Sequence, residues 1–339
     1  MNMEKEVLIK TIHQTGVITL NRPRQHNALS LNMIEEIHAA LQVWESEDNV
    51  RLIVLEGAGD RSFCAGGDVR TLAEHQGRER LLLASRFFQA EYQLNLLLHH
   101  YSKPIIVMMN GNVMGGGVGL SIGCSHRIVN EHTRWAMPEM KIGFYPDVGS
   151  SYYLSRMQHY IGRYLALTSL PVKGEDAIHI KAADLFIPAE KWPDVKNELM
   201  QPREESGDIY SMVDRILEQY AETPPASRRI APNISQIEKH FSHNRVEMII
   251  ESIQSDAKAE NEWAVRALQS LQESSPTSQK VAISQLVKGE KMSIEACFAM
   301  EYKLSMNLMT SHDFQEGVRT LLIEKTGHPN WQPATLEAV

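Results

Sequence analysis

Cysteine is scarce in this chain: three residues in 339, Cys64, Cys124 and Cys297, far apart and with no CxxC pair. An odd, dispersed set supports neither a disulfide framework nor a thiolate metal site, so buried small thiols in a reducing compartment are expected. Basic charge is also short. Lys and Arg number 34 against 42 Asp and Glu, a formal net charge of −8, and without a large basic block nucleic acid is not an expected partner, although a local phosphate site is still allowed. Hydrophobic residues make up 43%, yet no apolar run approaches the length of a membrane span, so no membrane partner is expected either. The opening MNMEKEVLIK mixes Glu with Lys and has the character of neither a secretory signal nor an Arg/Ser-rich transit peptide, which reads as a cytoplasmic location. No His/Cys/carboxylate cluster has ligand-like spacing, and no metal is expected.

What is present is a repeating strand and helix pattern. Val7 to Thr11 and Val17 to Leu20 read as a hairpin turning at Gln14-Thr15-Gly16. Ser30 caps a helix whose apolar residues Ile34, Ile37, Leu41 and Trp44 recur with the period of one buried face. The continuous apolar runs Leu52 to Leu55 and Ile105 to Met109 read as strands covered on both sides. Between them a long helical segment spans Val69 to His100. After Tyr152 the sequence is mostly helical, and polar or Pro-rich breaks at 201–208 and 223–227 divide a core, 1–200, from a helical C-terminal region, 201–339. Segments such as Met248 to Ile253 and Trp263 to Leu271 carry apolar faces that would pack on the core or on a second copy of the chain.

Two glycine turns follow successive strands: Cys64-Ala65-Gly66-Gly67-Asp68, and Gly115-Gly116-Gly117-Val118-Gly119. Glycines let backbone N–H groups face developing negative charge with no Cβ in the way, and a helix start adds its dipole. Two such turns could converge on one oxygen. Neither fits a dinucleotide fingerprint or a phosphate loop, and no nucleotide cofactor is expected. Beyond them Glu139 and Asp147 each stand directly after a proline. By themselves these could be exposed turn residues; placed beside the glycine turns, they read as an acid/base pair.

The segments Ser62 to Asp68, Lys103-Pro104 to Gly119, and Pro138-Glu139 through Gly149 together resemble the crotonase, or enoyl-CoA hydratase/isomerase, superfamily. Within it the chain is most similar to the 3-hydroxyisobutyryl-CoA hydrolase subfamily. The grounds are Gly-Gly-Gly-Val-Gly in place of Gly-Gly-Gly-Cys-Glu, Pro146-Asp147-Val148-Gly149, and C-terminal motifs around Ser275-Pro276, Met300-Glu301-Tyr302 and His312 to Arg319. The resemblance implies an α/β fold, a spiral of ββα repeats with a helical C-terminal domain. It implies an oxyanion hole from the backbone of Gly67 and Gly116, with Glu139 and Asp147 as catalytic carboxylates. Glu91 would join Gly116, Glu139 and Asp147 in binding substrate. In place of a hydratase's first glutamate stands Gly119, and losing one of an acid/base pair costs on the order of 10²-fold or more in rate.

The implied reaction is therefore hydrolysis of a short 3-hydroxyacyl-CoA thioester, with coenzyme A as part of the substrate and no separate cofactor. Glu139 would act either as nucleophile or as general base toward water. Two neighbouring buried carboxylates would hold one proton between them. Ser150-Ser151 stands where the subfamily often continues with glycine, a change that narrows the pocket or adds a hydroxyl donor. The alternative readings are an enoyl-CoA isomerase or hydratase, or a non-catalytic acyl-CoA- or RNA-binding homologue.

Overall fold

The computed structural model describes residues 5–202 and 207–339; the expected break at 201–208 lies partly outside these residues. Ten strands are named in chain order: β1 (Val7–Ile12), β2 (Thr15–Leu20), β3 (Leu52–Gly57), β4 (Ser62–Cys64), β5 (Ile105–Met109), β6 (Asn112–Met114), β7 (His126–Val129), β8 (Arg134–Ala136), β9 (Val172–Lys173) and β10 (Leu185–Phe186). They form a six-stranded sheet in the order β1-β2-β3-β5-β7-β10 and a four-stranded sheet in the order β4-β6-β8-β9. Successive strand pairs β3/β4, β5/β6 and β7/β8 thus give one strand to each sheet, which is the ββα spiral implied by the sequence resemblance. β2, β3, β5 and β7 pair in parallel, so each needs a crossover, supplied by the intervening helices.

Two compact units emerge, interleaved along the chain: residues 1–67, 93–135 and 172–228 in one, and 68–92, 136–171 and 229–339 in the other. In the first, alternate residues of the large sheet, Leu52, Val54, Ile106, Met108 and Ile128, form a core with Val195, Leu199, Val213, Ile216 and Leu217. The last five come from the helices Trp192–Leu199 and Ile209–Tyr220. Burial of one sheet face by two amphipathic helices stabilises this unit, at roughly 25 cal/mol per Å² of apolar surface.

The second unit is almost entirely helical. Helices Val246–Lys258 and Glu262–Gln272 pack against each other, and Pro276–Gly289, Ile294–Leu308 and His312–Val318 follow. The side chains of Ser275, Ser293 and Ser311 each accept an N–H of the first turn they precede, a cap worth about 1 kcal/mol.

Two local expectations shift. The first hairpin turns at His13-Gln14, because Ile12 pairs with Thr15 and His13 takes the left-handed conformation, φ 51°. Gly16 lies within β2 instead, where a Cβ would come within 2.7 Å of the Trp44 ring; its small size serves packing. The segment Val69 to His100 is broken into helices Val69–Glu74 and Gly77–His100. His75 is extended (ψ 162°) and Gly77 is left-handed (φ 53°), so the i→i−4 ladder cannot run through.

Candidate active site

In the first unit the two glycine turns come together. The first follows β4, and Gly67 forms a parallel bridge with Leu29 while the Gly66 carbonyl accepts the Leu29 N–H at 2.9 Å. The second follows β6: Gly115, at φ 51° and ψ −116°, caps the helix Gly116–Ile122. A Cβ on Gly66, itself at φ 115°, would lie 3.8 Å from the Gly116 nitrogen. A Cβ on Gly117 would lie 2.4 Å from the Cys64 carbonyl oxygen, so this pair of turns approaches closely only because a side chain is missing. Gly116 to Ile122 are all buried. The backbone N–H of Gly116 belongs to the first turn of a helix, where amides have no intrahelical acceptor and a partial positive charge accumulates.

The acids lie in the second unit, and they are not surface residues. Glu91, Glu139 and Asp147 are 2%, 8% and 5% exposed. Glu139 opens a 3-10 turn, Glu139–Ile142, which ends at Gly143 with φ 68°. A Cβ at Gly143 would fall 2.1 Å from the Asp313 carbonyl oxygen, so glycine is required by both conformation and space. The chain then places Phe144 in a stack with Phe88, centroids 5.7 Å apart and planes 8° from parallel. This aromatic wall makes the acids' surroundings apolar.

Asp147 sits on a strained turn. Val148 has φ 51° and Gly149 has φ 89°; left-handed backbone at a β-branched residue costs on the order of 1–3 kcal/mol and persists only where the surroundings over-determine it. Three hydrogen bonds from helices of the same unit do so. Gln285 donates from Nε2 to the Pro146 carbonyl at 2.5 Å. Glu301 accepts the Gly149 N–H on Oε2 and the Ser151 N–H on Oε1, both at 2.8 Å. The Ser151 hydroxyl donates to Gln285 Oε1 at 3.1 Å, so that residue of the Ser150-Ser151 pair is committed to holding the turn.

A hydrogen-bonded chain then fixes the carboxyl itself. Tyr92 donates to Asp147 Oδ2 at 2.6 Å and also bonds Ser305 Oγ at 2.7 Å. Ser305 meets the Tyr145 hydroxyl at 2.8 Å, and Tyr145 donates to the Glu301 carbonyl at 2.6 Å. Burial pushes both tyrosines well above their ordinary pKa, with Asp147 adding to it, so Tyr92 remains a donor. Oδ2 is thereby an acceptor, and a proton on Asp147 resides on Oδ1.

The electrostatics follow from burial. Desolvation raises Asp147 to about 7, against the lowering effect of the Tyr92 bond and of its own backbone. Glu139 is raised well above the carboxylate range by burial and then by Asp147. Glu91 is raised by burial, then by Asp147, then by Glu139. Like charges this close in an apolar site cannot all ionise near neutrality, so protons are shared among them. Glu91 Oε1 and Glu139 Oε2 make no hydrogen bond among the described residues. Both oxygens therefore keep unused acceptor capacity.

Structure therefore gathers Glu91, Glu139 and Asp147 in one unit and Gly67 and Gly116 in the other. Sequence reading missed Tyr92, Tyr145, Gln285, Glu301 and Ser305 as parts of this arrangement. A signal existed for Glu301: it falls on the buried stripe Ile294, Cys297, Phe298, Glu301, Ser305, Leu308, and a carboxylate on an apolar stripe must have partners. Burial raises it to about 8 against the amide bonds it accepts. Among the described residues no group of three or more His, Cys, Asp or Glu could hold a metal ion.

The model of the enoyl-CoA hydratase/isomerase family matches residues 15–339. Similar proteins include the mitochondrial 3-hydroxyisobutyryl-CoA hydrolases of Danio rerio, 40% identical with 98% of this chain and 87% of that protein aligned, and of Homo sapiens, 39% identical with 99% and 86% aligned. Among solved structures, a carnitinyl-CoA dehydratase from Mycobacterium thermoresistibile is 36% identical with a TM-score of 0.88, and an enoyl-CoA hydratase from Rhodobacter sphaeroides 32% identical with 0.89. Both cover 99% of this chain and 94% of their own.

Proposed function

Because this chain belongs to the enoyl-CoA hydratase/isomerase family, we propose that it hydrolyses short 3-hydroxyacyl-CoA thioesters, chiefly 3-hydroxyisobutyryl-CoA and secondarily 3-hydroxypropionyl-CoA. The observation that carries this reading is identity near 40% along almost the whole chain with proteins named for that hydrolysis. A place in valine degradation follows from such a substrate. Coenzyme A enters as part of the substrate, and the reading needs no metal, nucleic acid or membrane. It goes with a proposed cytoplasmic location, in keeping with three buried cysteines, and leaves room for a homo-oligomer.

Each residue takes a role that its chemistry supports. The Gly67 and Gly116 N–H groups hold the oxygen of the thioester carbonyl as it becomes an oxyanion. Glu139, with a buried and unbonded Oε2, takes the proton of an attacking water, or attacks the carbonyl carbon itself to give a mixed anhydride that water then cleaves. Either way the C–S bond breaks and the thiolate leaves. Asp147 delivers the Oδ1 proton to it and later regains one from Glu139. Glu91 accepts the substrate hydroxyl. A raised pKa suits these tasks, because it lets one carboxyl be acid and another base near neutral pH.

The test is to follow free thiol and the conjugated double bond together with 3-hydroxyisobutyryl-CoA, 3-hydroxypropionyl-CoA and crotonyl-CoA. Thiol release from the hydroxyacyl thioesters is expected; its absence from both sinks the hydrolase reading. A hydratase reading draws on the likeness to the solved enoyl-CoA hydratase and carnitinyl-CoA dehydratase, and loss of the crotonyl double bond without thiol release would establish it. In a single turnover in heavy-oxygen water, label in the enzyme's carboxylate identifies the anhydride route, with water attacking the Glu139 carbonyl, since the general-base route puts the label only in the product.

A further inference from the structure

A cavity in the helical unit, of about 380 Å³, is bordered by Gln76, Gly77, Arg80, Met309, Thr310 and Gln315. No acidic side chain lines it. Arg80 is only 7% exposed, an unusual place for a guanidinium that has no carboxylate partner. Its Nε donates to the His75 carbonyl at 2.8 Å, which fixes the plane of the group. The two terminal nitrogens have no hydrogen bond among the described residues. Nearby acids are engaged elsewhere: Glu79 with His75 at 3.4 Å and Glu74 with Arg70 at 3.3 Å, both on the solvent side.

The terminal nitrogens border the cavity and meet no protein acceptor among the described residues, and a planar fork of N–H groups matches the two oxygens of a carboxylate or phosphate. Gly77 also begins the 24-residue helix Gly77–His100, so free first-turn amides and the positive end of a helix dipole border the same space. Thr310 donates its hydroxyl to the Asn307 carbonyl at 2.8 Å, which leaves its lone pairs for a ligand hydroxyl. Arg80 precedes Glu91 on this helix by a distance of about 16 Å at 1.5 Å per residue, too far for one short acyl group to touch both.

We propose that this cavity is an anion site, in which the fork of Arg80 binds the oxyanion of a small carboxylate or phosphate. The ligand would be a hydroxy acid such as the product of thioester cleavage, a phosphate of coenzyme A, or free phosphate. All three share the chemistry that Arg80 reads.

Calorimetric titration of the whole protein with 3-hydroxyisobutyrate, coenzyme A and inorganic phosphate, each separately, tests this and identifies the source. Binding by at least one at a Kd of about 1 mM or better is expected. Arg80→Gln should weaken it about tenfold or more, and Arg80→Lys, which keeps the charge but loses the fork, should weaken it less. Equal affinity in the unaltered protein and Arg80→Gln, or no binding by any of the three up to about 10 mM, overturns the proposal. Should Arg80→Gln fail to fold, Arg80→Lys and Gln315→Leu, with melting temperatures checked, give the same reading. Because binding is measured without turnover, failure here leaves the hydrolase reading standing.

Discussion

The two halves of the proposed chemistry are built in opposite ways. The turns at Gly66–Gly67 and Gly115–Gly117 work by what they omit: no Cβ stands between Gly117 and the Cys64 carbonyl, and backbone amides remain free to donate. The acid cluster depends on what surrounds it. Asp147 is held by Tyr92, its turn by Gln285 and Glu301, and its pKa is set by burial. A backbone site is specified locally, by two or three glycines and a strand end. A side-chain site is specified by residues up to about 150 positions away, because low dielectric and fixed hydrogen bonds come only from packing.

That contrast can be broken most forcefully at the acids. Glu139→Gln should lower thiol release by about 10³-fold while leaving the melting temperature unchanged or higher, since a buried unbonded carboxyl oxygen is replaced. Unchanged turnover would remove Glu139 from the mechanism. On the other side, Gly117→Ala should destabilise the protein by roughly 1–3 kcal/mol, read as a lower unfolding midpoint in urea; a neutral result would mean the two turns tolerate a side chain and are not closely packed.

Glu301→Gln sharpens the comparison, because an amide cannot accept from both Gly149 and Ser151. The expected loss is about tenfold in kcat with little change in KM, of the order of one buried hydrogen bond, and a shifted pH profile that a purely structural defect would not produce. Tyr92→Phe is the mildest change. It removes a bond that lowers the Asp147 pKa, so the alkaline limb of the activity profile should move upward from near 7. An unmoved limb would show that Asp147 is not the group responsible.

Stability should carry the same signature. Burial holds Asp147 at about 7 and Glu301 at about 8 in the folded chain, above the ordinary 3.8 and 4.5 of these side chains. The folded state therefore binds more protons between those limits. Their contribution is fully present below pH about 4 and is lost as pH rises through about 7 to about 8. Melting temperatures taken across this range should fall, and Glu301→Gln should flatten the fall.

Much of the fold was legible beforehand, because periodicity is a local property. The helix Leu31–Ser46 buries Ile34, Ile37, Leu41 and Trp44, and strands β3 and β5 coincide with the continuous apolar runs. The first turn was misplaced because Gly16 looked like a turn residue when it makes room for Trp44, a long-range demand invisible in a short window. The break at His75 to Gly77 was missed for a similar reason: one glycine in an otherwise helical pattern does not announce a positive φ. The ladder Glu301–Ser305–Tyr145–Tyr92–Asp147 was not legible, since its members come from three segments far apart in the chain: the helix Gly77–His100, the stretch around Tyr145 and Asp147, and the helix Ile294–Leu308.

By itself the sequence determined the strand and helix periods, the two glycine turns and the presence of carboxylates at 91, 139 and 147. Each depends on residues close together in the chain. Only the tertiary structure decided that those carboxylates are buried together, that Tyr92 donates to Asp147, and that Glu301 and Gln285 hold a strained turn around Val148. Desolvation, proton sharing and backbone strain exist only once distant segments exclude water from the same small volume.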